Sequence, residues 1–180
     1  MANLQKSPVG ELQWVFITGQ GKQNFNGDGY NYCADLVLKT DSDACQGLKD
    51  LILEEFHAEM GTKANAKSTG WRDKDDGNTV FTFKTGATFK DGTPQVITTF
   101  DKNGNKFDLG DTKIGNGSVG KVFFNIGTYT FQQSKGVSLY LKAIQIASLN
   151  EYTDLPQQAD SIDGDFETDQ MTAEPIDIGV

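Results

Sequence analysis

The sequence predicts a mainly β domain with a single helix, closed by an acidic tail, on three grounds. Twelve Phe and five Tyr stand against four Pro and 20 Gly; aromatic side chains suit the pleated, half-buried surface of a sheet, and glycines suit its corners. Apolar residues alternate along much of the chain but recur at spacings of three and four between Ala44 and Met60, the period of one buried helical stripe. Charge is segregated. Residues 151–180 hold nine carboxylates and no Lys or Arg, and taking those nine from the 25 acidic residues leaves 16 against 16 basic residues in 1–150. The body is therefore neutral and the tail carries the whole net charge of −9, a block pattern typical of a disordered interaction segment.

In chain order, residues 12–18 (LQWVFIT) read as a first strand and the Gly- and Asn-rich stretch 19–29 as a loop. Residues 30–38 (YNYCADLVL) form a second strand. The helix follows, with Ala44, Leu48, Leu51, Ile52, Phe56 and Met60 on its apolar side, Asp41, Ser42 or Asp43 capping its start, and Gly61 ending it. The polar stretch 62–78, which contains Trp71 and Arg72, reads as a long loop. Strands are expected at 79–85 (TVFTFKT) and 95–101 (QVITTFD), the second running into an Asn103-Gly104 tight turn and Lys106-Phe107. After a second glycine-rich loop, 110–120, the two longest strands, 121–132 and 136–146, are joined through Ser134-Lys135-Gly136. Strands in this number around one helix suit a small closed barrel, which removes exposed edges, or a sandwich; periodicity fits both.

A chain of 180 residues fits one domain over 1–150 with the tail at 151–180. No apolar run approaches the length of a membrane span and no charged-then-apolar segment opens the chain, so neither a span nor a signal peptide is expected and the protein reads as soluble and intracellular. Cys33 and Cys45 are too few for a disulfide framework and lack metal-ligand spacing, which leaves free thiols in a reducing compartment.

Catalytic chemistry finds little support. Acid-base or nucleophilic catalysis needs a positioned base, and the only histidine, His57, sits in the helix beside Phe56 with no nucleophile in its sequence context. It reads as a packing or surface residue. The runs beginning at Asp73 and Asp101 resemble calcium loops, but their twelfth positions are Lys84 and Thr112 where a bidentate Glu is needed. Both read as turns. Gly115-Asn116-Gly117-Ser118 lacks the Lys-Ser/Thr pair and the helix that a phosphate loop requires. The expectation is a protein that is not an enzyme and uses neither cofactor nor metal.

Binding chemistry is better represented. Side chains alternate along a strand, so Val122, Phe124 and Ile126 share one face while Lys121, Phe123 and Asn125 share the other. In the last strand Val137, Leu139 and Leu141 oppose Tyr140 and Lys142; in the third, Phe81 and Phe83 oppose Thr82 and Lys84. The facing of Tyr129 and Phe131 is open, because Gly127-Thr128 can break the alternation. Aromatic rings that stack bases and lysines that neutralise phosphates are what sequence-tolerant single-strand binding requires, stacking contributing about 1–3 kcal/mol per base. Second-layer core and ordinary surface would produce the same pattern.

Four runs in order resemble the single-stranded-DNA-binding replication proteins of tailed bacteriophages: 78–84 (NTVFTFK) with Phe89 downstream, 117–122 (GSVGKV), Tyr129-Thr130-Phe131, and 137–145 (VSLYLKAIQ), followed by the acidic tail. The resemblance spans most of residues 10–180. It implies an oligonucleotide-binding (OB) fold, a five-stranded Greek-key barrel with one helix after the second strand and a disordered acidic tail, that coats single-stranded DNA without sequence preference in phage replication and recombination. It implies DNA contacts at Lys84, Lys121, Tyr129 and Phe131, to which strand alternation adds Phe123, Tyr140 and Lys142. It further implies that the tail competes for the DNA groove and recruits replication proteins such as the polymerase, with Asp163, Asp165, Phe166, Glu167, Asp169 and Asp177 as its candidate contacts, in the cytoplasm of an infected bacterial host. Two features depart from the pattern: the tail ends in Pro175-Ile176-Asp177-Ile178-Gly179-Val180 rather than in an aromatic residue, and Arg72 is the only arginine of the body. The alternative is a β-sandwich module, binding carbohydrate or serving in a virion, with Trp14, Trp71 and Tyr30 stacking on sugars. The oligomeric state, a homodimer included, stays open.

Overall fold

The computed structural model describes residues 3–110 and 112–151. The expected tail contacts, Asp163, Asp165, Phe166, Glu167, Asp169 and Asp177, lie outside them.

Five strands close into a barrel: β2 (Gly10–Phe16), β4 (Tyr30–Lys39), β7 (Asn78–Gly86), β9 (Ser118–Phe131) and β10 (Ser134–Ser148). β2 pairs antiparallel with β4, β4 antiparallel with β7, β7 parallel with β10, β10 antiparallel with β9, and β9 antiparallel with β2, which completes the ring. That order, with its one parallel pair, is the OB barrel. The sandwich alternative is excluded, because all five strands belong to one closed sheet.

Helix α1 (Asp43–Met60) follows β4, the second barrel strand, and packs against β9, β10 and β4. Ser42 caps it, its hydroxyl accepting from the Cys45 N–H at 3.1 Å, and the Gly61 N–H closes the last turn on the His57 carbonyl. The buried stripe is Cys45, Leu48, Ile52 and Phe56. It begins at Cys45 rather than Ala44, which is exposed. Phe56, Ile52 and Leu48 close one end of a core built from Leu12, Leu36, Phe81, Phe83, Val122, Phe124, Leu141 and Ile144. Phe83 and Phe124 meet inside it at 4.9 Å between centroids. The alternation expected of β7, β9 and β10 holds throughout that core: Phe81, Phe83, Val122, Phe124, Val137, Leu139 and Leu141 are buried.

Shorter pieces depart from expectation where pairing partners override weak local preference. The stretch 62–78 contains β5 (Ala66–Ser68), parallel to β10, and β6 (Trp71–Asp73), antiparallel to β7. Neither has a strand-like composition; neighbouring strands supply the order. The expected strand at 95–101 contracts to β8 (Thr98–Phe100), parallel to β10. The expected loop at 19–29 folds back as β3 (Lys22–Gln23) onto β4, and a further short strand, β1 (Leu4–Lys6), edges β9. The Asn103-Gly104 turn forms as expected, with Asp101 accepting from the N–H groups of Asn103 and Asn105. The run from Asp73 is likewise a turn, closed by Lys74 N–H on the Asn78 carbonyl. The β9–β10 turn is not Ser134-Lys135-Gly136 but Gln132-Gln133, both at positive φ (46° and 69°). Two left-handed residues match the twist of a two-residue hairpin turn, so the ladder runs to Phe131 opposite Ser134 and Gly136 lies within β10.

Candidate nucleic-acid interface

The outer face of an OB barrel over its second and third strands, bounded by the loop between strands one and two and by that between four and five, is where such folds take oligonucleotides. Here that face is β4–β7. Cys33 stands opposite Lys84 and Asp35 opposite Thr82 on its outward side. The bounding walls are the segment 17–29 and the tip of the β9–β10 hairpin.

A cleft of about 970 Å³ lies on this face. Its floor is Cys33, Asp35, Thr82 and Lys84; Arg72 of β6 enters from one side, and Lys22, Asn24, Phe25 and Trp14 form the other. Arg72, Thr82 and Lys84 also line a smaller hollow of about 260 Å³ that extends to Trp71, Ser138 and Tyr129. One path therefore crosses the face from Phe25 to Tyr129. Lys22, Arg72 and Lys84 bring three positive charges to the main cleft against Asp28 and Asp35. Trp14 and Phe25 are exposed, and the Lys22 ammonium sits 6.0 Å from the centre of the exposed Phe16 ring. Asn24 Oδ1 is buried there without a hydrogen-bond partner.

Asp35 is the dissonant group. Burial pushes its carboxyl above the ordinary value, while a hydrogen bond from Thr82 and the charges of Arg72 and Lys22 pull the other way. Burial likewise raises the neighbouring Cys33 thiol, with Lys22 opposing it. Both cysteines are free.

Two tyrosines on the hairpin rest on glycines. Tyr129 stands directly opposite Gly136, and a Cβ at Gly136 would fall 2.5 Å from the Tyr129 Cζ. Tyr140 lies diagonal to Gly127, where a Cβ would fall 2.5 Å from its Cε2. Each ring thus covers a bare strand backbone, which fixes its tilt, and each stays exposed on its outer side.

The seven expected contacts separate. Lys84 and Tyr129 line the path. Tyr140 is the parallel partner of Lys84 in the sheet. Phe131 is 65 % exposed at the hairpin tip. The ladder opposite β10 is continuous from Phe124 to Phe131, so Gly127-Thr128 does not break the alternation and Tyr129 faces outward with Phe123. Lys142 is exposed at the register shift between Leu141 and Ala143. Lys121 and Phe123 lie outside the cleft: Lys121 is opposite Gln145, and Phe123 packs against Phe100 of β8 at 5.8 Å. The cleft adds Trp14, Lys22, Phe25 and Arg72. In the sequence Trp14 was singled out only as a sugar-stacking ring and Arg72 only as the single arginine of the body; Lys22 and Phe25 lay in a segment with no periodicity. Trp71, expected as an exposed sugar-stacking ring, is instead held between Phe81 and the Lys49 ammonium. His57 caps the helix end, its ring edge-on to Phe56 and its Nε2 3.2 Å from the Ala64 carbonyl.

No protein-family model and no curated protein matches the chain. Solved structures do. The single-stranded DNA-binding protein gp2.5 encoded by bacteriophage T7 is similar over 91 % of this chain and 100 % of its own, with a TM-score of 0.64 and 20 % identity. The single-stranded DNA-binding protein of bacteriophage Enc34 is similar in a C-terminally truncated form (82 % of this chain, 87 % of that one, TM-score 0.61, 11 % identity) and in complex with single-stranded DNA (86 % and 89 %, TM-score 0.60, 12 % identity). The fold is that of phage single-stranded DNA-binding proteins.

Proposed function

We propose, from that shared fold and from this cleft, that the protein binds single-stranded DNA without sequence preference, coats it during phage DNA replication and recombination, and acts by binding rather than by catalysis. The observation that carries the reading is the path across β4–β7, which Lys22, Arg72 and Lys84 line together with Trp14, Phe25 and Tyr129. Flat rings accept any base, and lysines act on the phosphates as point charges. A bacterial host's cytoplasm is the setting such a function implies.

The chemistry of residues 152–180 supports a second part of the proposal. Tethered to the barrel, their eight carboxylates compete with DNA for the cleft cations at high effective concentration; once displaced, they are free for replication proteins such as a polymerase. Fluorescence anisotropy of labelled oligo-dT, with the full chain and with a chain ending at Glu151, tests both parts. The expected result is binding that duplex of equal length does not displace, that tightens on truncation, and that weakens with salt at a log-log slope near −0.7 per phosphate neutralised. No binding by either chain would overturn the reading. Equal affinity of the two would remove the competing tail and leave the coating function.

A further inference from the structure

We propose that Trp14 is a base-stacking residue, fixed over the cleft by the side-chain amide of Asn116; this rests on the single-strand reading above. The argument starts from backbone. β2 pairs Gln13 with Asp35 but Phe16 with Cys33, so Trp14 and Val15 together oppose Ala34 alone. That is a β-bulge, a device that re-aims side chains and is enriched beside functional sites. Where the first residue of a bulge takes the left-handed region, it is ordinarily a glycine. Here it is Trp14, at φ 50°.

The bulge has a packing purpose that needs no tryptophan. It changes which parity faces inward, from Leu12 before it to Val15 and Ile17 after it. Glycine at position 14 would serve that turn with less strain. The indole gains little in exchange from the fold: it is 56 % exposed, and among the described residues no aromatic ring packs on it. It lines the cleft instead. Strain retained at an exposed ring beside a binding surface points to function rather than to stability.

The conformation is held from outside β2. The Trp14 N–H donates to Asn116 Oδ1 at 2.8 Å, and the Trp14 carbonyl accepts from the Cys33 thiol at 3.6 Å. Asn116 is itself anchored: its carbonyl accepts from Asn150 Nδ2 at 2.6 Å, and the Gly115 N–H donates to the Asn150 carbonyl at 2.6 Å. Asn116 is thus a positioning residue for the ring, which a ligand-free surface loop would not require.

Full-length protein and its Trp14→Gly, Trp14→Phe, Asn116→Ala and Asn116→Asp variants would be titrated with labelled oligo-dT, reading anisotropy, tryptophan quenching and thermal midpoint. Trp14→Gly should weaken binding about tenfold, the loss of one stacked base, with an unchanged or higher midpoint. Trp14→Phe should stay within about threefold of wild type, because a ring still stacks. Asn116→Ala should lose quenching amplitude together with affinity, and Asn116→Asp, which keeps the acceptor, should restore the amplitude. Wild-type affinity in Trp14→Gly, or a marked fall in its midpoint, would overturn the assignment. Failure of wild type itself to bind would sink the single-strand reading, a result distinct from failure of the variants alone.

Discussion

The two halves of the β9–β10 hairpin carry one sequence pattern and meet opposite fates. Phe123 and Tyr129 stand on the same strand, both outward by alternation. At the Phe123 end β8 lies alongside β10, and Phe100 covers the ring. At the Tyr129 end the flanking strand is the three-residue β5; the ring rests on Gly136 and opens onto Arg72 and Lys84. What faces outward is a property of one strand. What stays uncovered depends on where short neighbouring segments happen to pair.

The comparison is broken most directly by removing each ring. Tyr129→Ala should weaken oligo-dT binding about tenfold with little change in thermal midpoint, whereas Phe123→Ala should leave affinity within about twofold and cost about 1–2 kcal/mol, or roughly 3–6 °C in midpoint. Anisotropy and thermal denaturation on both variants check this. Exchanged outcomes would place the DNA path over the β8 end instead.

A smaller effect is expected at Gly136. Alanine there should not weaken the strand by propensity, since glycine is the poorer strand residue. Its Cβ displaces the Tyr129 ring, so Gly136→Ala should lower affinity about fivefold at unchanged salt slope, because no charge is lost. Unaltered affinity would mean that the ring's tilt does not matter for stacking.

The smallest effect concerns Asp35, a carboxylate on the floor of a cleft that also holds Lys22, Arg72 and Lys84. Its folded-state value lies above the ordinary one near 3.8, chiefly through burial. A raised folded-state value means that the protonated form is favoured by folding: the stability is fully present below the unfolded value and is lost as pH rises through the folded one. Asp35→Asn should therefore raise the midpoint at neutral pH and lose that advantage as pH falls toward 3.8. It should also tighten DNA binding about threefold at neutral pH, the gain shrinking on acidification. Midpoints and anisotropy across that pH range decide it; a pH-independent difference would exclude titration of Asp35 as the cause.

Much of the fold was legible because it rests on local periodicity. Leu48, Ile52 and Phe56 announced the helix, and the alternation of Phe81, Phe83, Val122, Phe124, Leu139 and Leu141 announced the core face of the long strands. β5, β6 and β3 were not legible, since Ala66, Arg72 or Lys22 has no preference for a strand until a partner edge is offered. The site divided along the same line. The outward face of Lys84 followed from alternation on a regular strand; that of Tyr129 was left open by Gly127-Thr128 and is set by the continuous pairing of β9 with β10. Trp14 did not follow from alternation, because a bulge reverses parity within β2, and Phe25 did not, because the segment around it has no period to break.

By itself, then, the sequence determined the elements whose hydrogen bonds and side-chain spacing are set within a few residues: one capped helix, the long strands, the Asn-Gly turn, and the segregation of charge between body and tail. Closure of five strands into one barrel, the pairing of short edges, the left-handed bulge at Trp14 and the choice of which outward rings stay bare were decided only by tertiary structure. The physical reason is that each of these depends on contacts between residues far apart in the chain, such as Trp14 with Asn116 or Phe100 with Phe123, and no local preference anticipates what a distant segment will cover.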